Sequence, residues 1–81
     1  MNMYKNIEIE ELDTKATGFR IKCLMEERNI SIREVSNYMK VSFQAVYRWQ
    51  IGEALPTISN MYILGQMLGV AVDDMLVAKE K

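Results

Sequence analysis

Four side chains near the middle of this chain are suited to meet the edges of nucleic-acid bases. They are Phe43, Gln44, Tyr47 and Arg48. A glutamine amide offers one donor and one acceptor, which match N6 and N7 of adenine. An arginine guanidinium offers paired donors, which match O6 and N7 of guanine, and it also binds phosphate. A phenyl ring meets a thymine methyl, and a tyrosine lies on a sugar or donates to a phosphate. Gln44 and Arg48 are four residues apart, as are Phe43 and Tyr47, so on a helix each pair shares a face. Each residue also has a plainer reading. Gln44 and Arg48 would be solvated surface groups, Tyr47 would pack on a helix edge, and Phe43 would fold back over the core. Arg33, Lys40 and Ser42 flank this group and are candidates for phosphate contact.

The elements that would position these residues are legible in the caps. Ser31 followed three residues later by Glu34 is a capping box. It opens a helix over about residues 32–39, with Val35, Tyr38 and Met39 as the apolar face. Lys40-Val41 is the turn. Ser42 is the next N-cap, Ala45, Val46 and Trp49 face inward over about residues 43–50, and Gly52 closes that helix. Two short helices over a tight turn form a helix-turn-helix, whose second helix is shaped to enter a DNA major groove.

Around this pair the spacing predicts three more helices. The first runs roughly from Thr14 to Arg28, with Ile21, Leu24 and Met25 as its stripe and Asn29 at its end. The fourth follows the Pro56 loop, is capped by Thr57, and carries Ile58, Met61, Leu64, Gly65 and Leu68 up to Gly69. A short fifth holds Val72, Met75 and Leu76, with Asp73 and Asp74 in its first turn, where carboxylates suit the helix dipole. The expected fold is all-α: a five-helix domain over residues 14–77, an arm over 1–13 and a charged tail over 78–81. In the arm, Ile7 and Ile9 alternate with charges in a strand-like pattern. Such a strand would either be loose or pair with a copy of itself across a dimer.

Composition bounds the alternatives. Eighty-one residues make one domain, and 49% hydrophobic content supports a small core. No apolar run is long enough for a membrane span, and the acidic N-terminus lacks the pattern of a signal peptide. A lone cysteine, Cys23, cannot close an internal disulfide, which points to a reducing cytoplasm. The net charge is −1 and the pI near 5.4, yet the distribution is uneven. Residues 15–50 hold seven cations against three carboxylates, the arm is acidic, and residues 51–81 are mildly so. The positive region coincides with the candidate contacts. There is no histidine, no CxxC and no Gly-rich phosphate loop, so neither catalysis, a metal site nor a cofactor is expected.

The order of these marks resembles the Cro/C1-type helix-turn-helix family, the xenobiotic-response-element-like regulators of bacteria and phages. The resemblance spans roughly Thr17 to Leu76. It rests on Gly18 with Ile21 and Leu24, on Ser31, and on Val41-Ser42 to Val46. It continues through Trp49, Gly52, Pro56, Leu64 to Leu68-Gly69-Val70, and Asp73-Asp74-Met75-Leu76. The resemblance implies a lambda-repressor-like DNA-binding domain acting as a transcriptional regulator, usually a dimer. Carried over position by position, base contacts fall on Phe43, Gln44, Tyr47 and Arg48, and Ser42 both caps its helix and touches a phosphate. The chain departs from the pattern at Ile32, where a phosphate-holding glutamine is usual, and at Lys40, where glycine is usual. Met25 and Gln50 stand where the family often has an Arg–Glu pair, and Phe19 and Cys23 where it is usually polar.

The function implied is binding of a palindromic double-stranded operator by a homodimeric cytoplasmic regulator, in the sense of a repressor. No small-molecule ligand is expected. The alternative is a protein-interaction or antitoxin-like adaptor on the same scaffold. For the dimer interface the C-terminal stretch Val70–Val77 comes first, then Phe19 and Cys23, then the Ile7/Ile9 arm.

Overall fold

Short polar caps set the helix boundaries. In the computed structural model, which describes residues 3–80 and side chains from residue 5, a 3-10 turn over Met3–Asn6 precedes five α-helices. These are α1 (Thr14–Glu27), α2 (Ile32–Met39), α3 (Phe43–Ile51), α4 (Ile58–Leu68) and α5 (Val72–Met75). The Asp13 carboxylate accepts from the Ala16 amide at 2.9 Å and opens α1. Ser31 and Glu34 form the reciprocal capping box, each bond 3.1 Å long. Ser42 and Thr57 cap α3 and α4 through the amides of Ala45 and Asn60. Each cap satisfies an amide that the first helical turn leaves without an intrahelical partner.

One buried cluster unites the helices. Ile21, Leu24 and Met25 of α1 meet Val35 of α2, Val46 and Trp49 of α3, Met61, Leu64 and Leu68 of α4, and Met75 of α5. The closest approach is α1 against the end of α3. A Cβ on Gly18 would run into the Trp49 carbonyl oxygen and the Gly52 amide, and one on Gly52 into the Thr14 carbonyl. The glycines let the two backbones touch, which fixes the angle at which α3 leaves the body of the domain.

Two side chains read as inward-facing lie outside. Tyr38 is 70% exposed. On an eight-residue helix the buried stripe is centred between Val35 and Met39 with Ile32 beside it, and Tyr38 falls about a quarter-turn off it. Ile58 is 87% exposed, because it stands on the first turn of α4 at the flank of the Met61–Leu68 stripe.

The Ile7/Ile9 stretch of the arm makes no strand within this chain. The chain instead pairs farther on, with its own C-terminal stretch: Leu12 bridges Ala78 antiparallel, the Asp13 amide donates to Val77 O at 2.7 Å, and the Lys79 amide donates to Glu11 O at 2.8 Å. Lys79 and Glu11 add an ion pair at 3.2 Å. Thr17, fully buried, secures this pairing from α1, its Oγ1 accepting from the Val77 amide at 3.0 Å. Ala78 and Lys79, read as tail, are thus part of the closure. Met1, Asn2 and Lys81, assigned to the arm and tail, lie outside the described residues.

In the Val70–Val77 stretch Met75 is fully buried, and Val70, Val72 and Leu76 are partly buried against the core. The exposed apolar side chains include Phe19 on α1 and Ile58 and Tyr62 on α4.

Lys40 ends α2 in the left-handed region, φ 56° and ψ 43°. A side chain there is strained by about 1 kcal/mol relative to glycine, partly offset by the greater freedom of glycine in the unfolded chain. Lys40→Gly is expected to raise stability by about 0.5–1 kcal/mol. Urea melts at constant m-value check this, and a loss of stability would mean that the lysine side chain holds the turn.

Candidate nucleic-acid interface

The outward half of α3 carries the candidate base contacts. With Val46 and Trp49 buried, the 100° step per residue puts Gln44 almost opposite the core, with Arg48 and Tyr47 to either side of it and Phe43 on the flank beyond Tyr47. Both polar side chains are exposed. Phe43 and Tyr47 are also exposed, at 49% and 46%. The structure therefore brings Phe43, Gln44, Tyr47 and Arg48 together on one surface.

Three backbone-contact candidates border that surface. Ser42 Oγ accepts from the Ala45 amide at 3.0 Å, and its hydroxyl still has a proton to donate. Lys40 sits on the turn, exposed, with a left-handed backbone. The turn is held by the Ser36 hydroxyl, which donates to Val41 O at 2.7 Å. Arg33 is exposed in the first turn of α2. Amides at the start of α3 and these cations together suit an anionic backbone.

Arg48 is less free than its sequence position suggests. Its Nε lies 3.4 Å from Glu53 Oε2. Sequence reasoning passed over Glu53, whose approach depends on the left-handed Gly52 (φ 76°) folding the loop back. It also passed over Ile51, exposed on the same side as Tyr47, although the four-residue spacing from Tyr47 would have found it.

Behind the surface, Gln50 Nε2 donates to the Met25 sulfur at 3.4 Å. These two positions, where the family often has an ion pair, still touch, and an amide–thioether contact joins α1 to α3 without burying charge. Among the described residues no buried polar side-chain atom lacks a partner. No group of three metal-binding side chains gathers among them, and no helix is long and apolar enough to cross a membrane.

The helix-turn-helix family profile matches residues 21–75, more than half of the sequence. The chain belongs to the helix-turn-helix family. The matched span runs from Ile21 to Met75 and takes in the marks of the Cro/C1 type other than Gly18 and Leu76, which lie just outside it. Among solved structures, the domain is similar to the clp gene regulator ClgR from Corynebacterium glutamicum. One ClgR structure superposes with a TM-score of 0.71 at 18% identity, covering 76% of this chain and 66% of that one. A second gives 0.71 at 19% identity over 85% and 88% of the two chains. The S. venezulae BldD DNA-binding domain gives 0.67 at 18% identity over 79% and 96%. Likeness at this level of identity is a likeness of fold. No curated protein matches the sequence.

Proposed function

We propose that this helix-turn-helix domain binds a palindromic operator as a homodimer and represses transcription from it, in the cytoplasm and without catalysis. The broad function is that of a DNA-binding transcriptional regulator. The observation that carries the finer reading is the position of Gln44 and Arg48. They stand one turn apart, exposed, on a capped helix whose other side is locked by Val46 and Trp49. That arrangement suits a rigid reading head in a major groove. Phe43 and Tyr47 would add contacts to methyl groups or sugars, and Arg33, Lys40 and Ser42 would hold phosphates.

One such helix spans only a few base pairs, and a net charge of −1 gives little sequence-independent attraction. Specific binding therefore calls for two copies with half-sites about 34–36 Å apart. The contact between copies falls to apolar surface outside the core, such as Ile58 and Tyr62, one turn apart on the uncharged helix α4. An adaptor on the same scaffold is the second reading. It is favoured by the Arg48–Glu53 ion pair and the net negative charge, both of which weaken attraction to phosphate.

Selection of bound duplexes from a random pool at about 150 mM salt, a concentration where weak non-specific binding is suppressed, tests the proposal. The expected result is a palindromic consensus with half-sites about one helical turn apart. Sedimentation of the complex should show two chains per duplex. A pool that yields no consensus sinks the operator reading and leaves the adaptor.

A further inference from the structure

We infer that Glu53 is a specificity-determining residue: it holds Arg48 by its inner nitrogen and reserves the outer nitrogens for a purine edge. The inference rests on the operator reading above. The contact is Nε to Oε2 at 3.4 Å, with both side chains more than half exposed. Nε is one of the three guanidinium nitrogens. The two outer nitrogens carry the paired donors that match O6 and N7 of guanine.

The backbone that carries the carboxylate is held in place. Past the left-handed Gly52, the Glu53 amide donates to the Arg48 carbonyl at 3.0 Å and the Ala54 amide to the same oxygen at 3.4 Å. Residue 53 is thereby fixed to the turn of α3 that carries Arg48. Glu53 is also the only charged residue between Arg48 and Asp73, so no other charge in that stretch competes for the guanidinium.

Two consequences follow from the chemistry. An arginine free to swing would settle on phosphates, which every sequence offers, and phosphate contacts carry no sequence information. Anchored at Nε, Arg48 presents a planar pair of donors in one orientation instead. The carboxylate also stands within one Debye length, about 8 Å at physiological salt, of any phosphate that the outer part of Arg48 reaches. Its repulsion weakens binding to any duplex, and a guanine in register offsets it at the right site alone. Glu53 thus lowers non-specific affinity more than operator affinity.

The test uses the full chain with Glu53→Gln, which keeps side-chain size and removes the charge. The probes are a duplex of the selected consensus and a scrambled duplex of equal length, each at three salt concentrations. Binding to the scrambled duplex is expected to tighten about three- to tenfold, and to the consensus less than about twofold, in line with the modest strength of exposed ion pairs. A repeat selection with the variant should lose preference at one base pair per half-site, the same one lost by Arg48→Ala, and keep the others. With Arg48→Ala already in place, adding Glu53→Gln should shift both duplexes equally. If Glu53→Gln alone shifts both duplexes by one factor and leaves every base preference intact, the carboxylate acts only as bulk charge and the inference is overturned. If the wild-type chain selects no consensus, the operator reading itself fails and the inference falls with it.

Discussion

Replacing Trp49 by alanine is expected to destabilise the domain by about 3–5 kcal/mol, the range for truncating a buried aromatic. The indole is 4% exposed and shares the core with Ile21 of α1, Val35 of α2 and Leu64 of α4. The cavity left behind cannot close by a simple shift. The backbone of this turn already touches α1 at Gly18, where a Cβ would meet Gln50 O at 3.0 Å. Domains of this size have stabilities toward the low end of about 5–15 kcal/mol, so the variant should be largely unfolded at 37 °C. Urea denaturation at 25 °C with unchanged m-value measures the loss. A cost under about 1 kcal/mol would put Trp49 outside the core and turn α3 by a large angle, taking Gln44 and Arg48 off the outer surface.

The parts of the fold that were legible beforehand are those fixed by local chemistry. Ser31 with Glu34, Ser42 and Thr57 announce helix starts because a cap needs only its own next three residues. Asn29 and Lys40 adopt positive φ at 54° and 56°, at the ends where the helical patterns stop. Misreadings arose where a neighbour far along the chain decides. Periodicity placed Tyr38 and Ile58 on apolar faces, but only the opposing helices determine how wide a face is covered. Thr17 drew no notice as a polar residue in α1, yet its partner Val77 is sixty residues away. Pairing of Glu11, Leu12 and Asp13 with residues 77–79 was likewise hidden, because its two halves lie more than sixty residues apart. The reading surface shows the same division. The outward set at residues 43, 44, 47 and 48 follows from helix phase alone, whereas the Glu53 contact depends on the path of the loop after Gly52.

The variant Gln44→Ala with Arg48→Ala is expected to lose about 2–6 kcal/mol on the selected operator, since each bidentate base contact contributes about 1–3 kcal/mol of discrimination. Both side chains are exposed, so the fold should be kept, and melts should match the wild type within about 0.5 kcal/mol. Binding to a scrambled duplex should fall far less, leaving the two DNAs nearly indistinguishable. Lys40→Ala provides the contrast. Its ammonium sits on the turn beside the cap of α3 and reads no base, so its removal should weaken both duplexes alike. The log–log salt slope should fall by about one per subunit, because one fewer counterion is released from the DNA. Gln44→Ala by itself should leave that slope unchanged, since a neutral amide displaces no ion. Titrations of two duplexes at three salt concentrations separate the effects. Should the double variant keep the operator preference of the wild type, the bases are read by some other surface. In that case α3 serves the fold and Gln44 and Arg48 are solvated side chains.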